Sequence, residues 1–80
     1  MPDITVLYFA HLRDQRGVDS ERIVTSATTV RDLYQELVLR HGLTLPERSI
    51  VVAVNEAMVR WDAAVAEGDT VVFLPPISGG

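Results

Sequence analysis

Eighty residues with 48% hydrophobic content and no cysteine exclude a disulfide framework and a cysteine-ligated zinc site, so one small domain must hold together by packing alone. Eleven carboxylates against seven cations give a net charge of −4, the wrong balance for a nucleic-acid binder. No apolar run reaches the ~18–20 residues that span a bilayer, and the start Met1-Pro2-Asp3 lacks the basic flank of a signal peptide; the expectation is a cytoplasmic protein engaging neither membrane nor nucleic acid.

The β-rich run Ile4 to Phe9 opens the chain as a first strand. Ala10 to Gly17 carries only Ala10 and Leu12 as apolar residues before the glycine and reads as a loop or one or two helical turns. Glu21 to Thr25 is a short second strand, expected to pair antiparallel with the first. The clearest helix follows. Thr29 can cap its first turn, with Asp32 three residues on as the acidic partner of a capping box. Val30, Leu33, Tyr34, Leu37 and Val38 recur on one helical face, and Gly42 after Arg40 and His41 supplies a left-handed stop. Leu43, Leu45 and Pro46 form a connecting loop expected to tuck under the helix end.

Ile50 to Val54 is a third strand, Asn55-Glu56-Ala57 a turn, and Met58-Val59 a short fourth strand. The segment Asp62 to Asp69 wraps round to a turn at Glu67-Gly68-Asp69, and Thr70 to Leu74 is the last strand. The order β-β-α-β-β-β with one main helix predicts an α+β fold of the β-grasp type, a mixed sheet curled over that helix. Residues 1–74 make the domain and residues 75–80 an extended tail.

A single helix covers a single sheet face. Yet Ile4, Val6 and Tyr8 alternate with Leu7 and Phe9, and Val71 and Phe73 alternate with Val72 and Leu74, so both faces are apolar. The uncovered one is expected to be an interaction surface, unless segments 10–20 and 60–68 close over it. Beyond it, Pro75-Pro76 should end the sheet ladder and aim the tail away from the body. The four residues Ile77 to Gly80 then reach at most about 13–14 Å. Gly79 and Gly80 lack Cβ, which lets the flexible backbone enter a narrow channel and leaves the terminal acyl carbon unhindered.

Other residues carry less chemistry. His11 and His41 sit on separate elements without further ligands at metal spacing, so no metal site is expected. Trp61 is expected to anchor the 60–68 loop. No nucleophile and base form a recognisable pair, so no catalysis by the isolated chain is expected.

The phrase Val52-Ala53-Val54-Asn55 followed by Met58-Val59, the turn Gly68-Asp69, Tyr8-Phe9-Ala10 with Arg13 near the start, and the ending Phe73 to Gly80 resemble the small subunits of molybdopterin synthase. These form the MoaD branch of the MoaD/ThiS family of ubiquitin-like sulfur carriers, and the resemblance spans the whole length. Its specific part is Pro-Pro-x-Ser-Gly-Gly, because a plain Gly-Gly end is shared by thiazole sulfur carriers, carriers of tRNA thiolation and ubiquitin. The resemblance implies that a MoeB-like enzyme using ATP and Mg adenylates the Gly80 carboxylate, and that sulfur from a persulfide donor converts it to a thiocarboxylate. Pro75, Pro76, Ile77, Ser78 and Gly79 would carry that group into a MoaE-like large subunit, within a heterotetramer, to deliver sulfur to cyclic pyranopterin monophosphate. It also implies a partner interface at Phe9, Arg13, Met58 and Leu74, and no cofactor held by the isolated chain. Two further readings stay open at this point: a carrier for thiazole or tRNA thiolation, and a ubiquitin-like protein modifier.

Overall fold

The computed structural model describes residues 2–74. The strands are β1 (Asp3–Tyr8), β2 (Ser20–Val24), β3 (Val51–Val54), β4 (Ala57–Val59) and β5 (Thr70–Leu74); the helices are α1 (Ala10–Arg16) and α2 (Val30–His41), with one 3-10 turn at Glu47–Ser49. They build one five-stranded sheet in the order β2-β1-β5-β3-β4. The central pair β1 and β5 is parallel, and every other pair is antiparallel. That is the mixed β-grasp sheet expected from the element order.

The core follows from strict alternation. Ile4, Val6 and Tyr8 of β1 and Val71 and Phe73 of β5 are fully buried, and they meet Val30, Leu33, Tyr34 and Leu37 from the apolar stripe of α2. Tyr34 and Phe73 pack with ring centroids 5.1 Å apart, and Trp61 joins them at 5.4 Å from Tyr34 and 6.0 Å from Phe73. Aromatic contacts at such spacing add to simple area burial. Trp61 therefore anchors its loop to the core, as expected.

The helix ends behave as their residues dictate. The Thr29 hydroxyl accepts from the Asp32 amide, and Gly42 closes α2 at φ 68°, where any side chain would be disfavoured. Asp32 does not complete the capping box; its carboxylate accepts from the Thr28 hydroxyl instead. The weakly patterned segment after β1 is a true helix, α1, because Leu12 alone enters the core while Gly17 caps the end at φ 85°. Phe9 belongs to its start rather than to β1. The second strand begins one residue earlier than its hydrophobic pattern suggested. Thr25 leaves it and is buried, donating its hydroxyl to Glu36 and accepting from the Ala27 amide. The third strand starts one residue later than expected, at Val51, since the Ile50 amide still donates to the Glu47 carbonyl and closes the 3-10 turn.

Candidate functional site

The strand register places an apolar surface on the side of the sheet facing away from α2. Leu7 pairs with Val72, Val72 with Ala53, and Ala53 with Met58, so four apolar residues from four strands form one row across the sheet. Val51 and Leu74 make the next row. Phe9 retains extended backbone at φ −130° and ψ 151°, so alternation places it on the Leu7 side of the sheet. Met58 is 73% exposed and Phe9 42%, while Leu7, Val72, Val51 and Leu74 are half-buried.

The segments expected as possible covers do not close this face. Leu12 from α1 and Trp61 and Val65 from the 60–68 segment all join the cluster on the helix side. A helix-side destination is what burial favours, because each of these residues completes a core already started by α2.

Three of the four residues expected at an interface, Phe9, Met58 and Leu74, thus fall on or beside one open face. Arg13 lies on the exposed side of α1, in the turn after Phe9, and forms no ion pair among the described residues. The residues expected to carry the chemistry, Pro75, Pro76, Ile77, Ser78, Gly79 and Gly80, lie outside the described residues. Leu74, the last described residue, ends β5 opposite Val51 of β3.

A polar cluster at the β2 edge escaped sequence reasoning. Glu21 accepts the Tyr8 hydroxyl and two hydrogen bonds from Arg16, both at 2.9 Å, and His41 Nε2 stands 3.6 Å away. The Arg16 hydrogen bond holds the Glu21 carboxyl below its usual range, against the opposing effect of burial. Burial first, and then the Glu21 hydrogen bond and charge, push the Tyr8 hydroxyl upward. The cluster brings side chains of β1, α1, β2 and the end of α2 together. Its available sequence signal was Tyr8 itself, whose core parity demanded a partner for a buried hydroxyl. Among the described residues no group of three or more His, Asp or Glu is placed to hold a metal ion.

The model of the ThiS family matches residues 6–80. The chain belongs to the ThiS family. It is 35% identical to the molybdopterin synthase sulfur carrier subunit of Escherichia coli (strain K12), covering 96% of this chain and 99% of that protein. Among solved structures, a Pyrococcus furiosus protein assigned as molybdopterin converting factor subunit 1 superposes with TM-score 0.80 at 33% identity, covering 96% of this chain and 100% of that one. A chain in the complex of subunits 1 and 2 of the Helicobacter pylori molybdopterin-converting factor shares the fold, with TM-score 0.68 at 22% identity over 98% of this chain and 99% of that one.

Proposed function

We propose that this chain is the sulfur-carrier small subunit of a molybdopterin synthase, with Gly80 as the site of chemistry. The observation that carries the reading is the full-length similarity to a sulfur carrier subunit of that enzyme, in a chain whose sequence ends in Pro-Pro-x-Ser-Gly-Gly and whose sheet carries an uncovered apolar face. The open face supplies docking energy, and the tail supplies the reacting atom.

A carboxylate is a poor acyl electrophile. In the proposed sequence a Gly80 oxygen attacks the α-phosphorus of ATP on a MoeB-like enzyme, with Mg assisting there, and pyrophosphate leaves. The terminal sulfur of a persulfide donor then attacks the acyl carbon, AMP departs, and a second thiol cleaves the S–S bond to leave the thiocarboxylate. Inserted into a MoaE-like large subunit, its sulfur acts as nucleophile toward cyclic pyranopterin monophosphate. In this sequence of steps ATP and Mg are held by the activating enzyme. Ordering a tail costs roughly 1–2 kcal/mol per residue, and Pro75-Pro76 lowers that cost by restricting the free state.

The test is sulfur transfer by the reconstituted synthase, comparing the full chain with one lacking Gly79 and Gly80. Loss of product with unchanged melting and unchanged binding to the large subunit supports the reading. Loss of folding on that deletion, or retention of activity, overturns it.

A further inference from the structure

The β3–β4 turn contains a residue that its own fold does not justify. Asn55 and Glu56 both have positive φ, 51° and 72°, as a two-residue hairpin turn of the primed type requires, a geometry that favours Asn followed by Gly. Asn55 is accounted for. Its amide donates to the Thr70 carbonyl, its side-chain oxygen accepts from the Thr70 amide, and its Nδ2 donates to Asp69. Glu56 is in the disfavoured conformation with an exposed side chain that makes no hydrogen bond or ion pair among the described residues.

Glu56 borders a shallow depression of about 390 Å³ lined also by Leu7, Val72, Thr70 and Asn55. Leu7 and Val72 are the paired residues at the centre of the apolar row described above, so the depression is continuous with the open face. The neighbouring Asp69 is already engaged, one carboxylate oxygen by Asn55 and the other by the Ala66 amide. Glu56 is the carboxylate left with full capacity. An apolar wall beside one free negative charge suits a side chain with an aliphatic stem and a cationic head.

We infer that this depression receives an arginine or lysine side chain of the large subunit that covers the open face, with Glu56 as its counter-charge. The inference rests on the functional reading above. It gives a role to a glutamate at a position where a glycine would relax the turn.

The test measures affinity for the purified large subunit, and thermal midpoint, for wild type, Glu56→Gln and Glu56→Gly. The expected result is a loss of affinity of about two- to fivefold in both variants, the range of a rim ion pair, shrinking as ionic strength rises. Glu56→Gly should melt at or above the wild-type temperature, so that weaker binding accompanies equal or greater stability. Unchanged affinity in both variants, or a loss indifferent to salt, overturns the inference and leaves the sulfur-carrier reading standing. Failure of the wild-type chain to bind the large subunit overturns both.

Discussion

The two faces of the sheet come from the same alternating strands and end in opposite circumstances. On one, Ile4, Val6, Tyr8, Val71 and Phe73 are sealed beneath α2. On the other, Leu7, Val72 and Leu74 remain half-buried beside an exposed Met58. Apolar residues on the sealed face stabilise the monomer. Those on the open face can lower free energy fully only when a partner covers them. The division separates folding from docking within 80 residues, so substitutions on the two sides should fail in different assays.

The largest effect is expected on the sealed side. Phe73→Ala removes the ring that meets both Tyr34 and Trp61, and should cost about 3–5 kcal/mol. A domain of this size has roughly 4–12 kcal/mol in total. Thermal melting should show a midpoint lower by about 15–30 °C, and weak partner binding should recover on cooling to where the variant folds. On the open side, Met58→Asp should leave melting within about 0.5 kcal/mol of wild type while weakening the large-subunit complex by roughly 10- to 100-fold. Equal damage to melting by both substitutions would dissolve the distinction between the faces.

The Glu21 cluster sharpens the comparison, since it braces the β2 edge of the sheet and touches the sealed set through the Tyr8 hydroxyl. The folded state holds the Glu21 carboxyl below its usual range through Arg16, so the unfolded chain takes up that proton first as pH falls. Its stabilisation is therefore complete above the ordinary carboxylate range, near pH 4–5, and is lost progressively below it. Glu21→Gln should lower stability at neutral pH by about 1–3 kcal/mol, because Arg16 loses its charged partner, and should flatten the acid limb of the stability profile. Urea titrations at a series of pH values read both effects. The smallest effect is at the cap of the covering helix: Thr29→Ala removes the acceptor of the Asp32 amide and should cost about 1 kcal/mol, with no change in partner affinity at a temperature where the variant is folded.

Much of this division was legible in the sequence, because period-two alternation in β1 and β5 and the 3.6-residue stripe of α2 are strong, local signals. Helix α1 was only half-legible: a single buried Leu12 and a glycine cap fix it, too few apolar positions to establish a period. The first turn of α2 was read correctly in Thr29 and incompletely in Asp32, whose carboxylate found Thr28 closer at hand. What the sequence withheld was partnership across distance. The Arg16 and Glu21 pair bridges α1 and β2, and Glu36 reaches back from α2 to Thr25; neither periodicity nor spacing announces such contacts. The open face was readable as an apolar surplus, yet only the register shows that Leu7, Val72, Ala53 and Met58 share one row.

The most direct test of the central claim is the intact mass of the chain, co-produced with its activating enzyme, before and after treatment with a thiol-selective alkylating reagent. The chain has no cysteine and two methionines, so alkylation separates a thiocarboxylate from a methionine sulfoxide of nearly equal added mass. The account predicts one adduct, mapped to Gly80, that disappears when ATP or the activating enzyme is withheld. A chain that stays unalkylated under active conditions, or that appears instead as denaturation-resistant conjugates to other proteins, would contradict it.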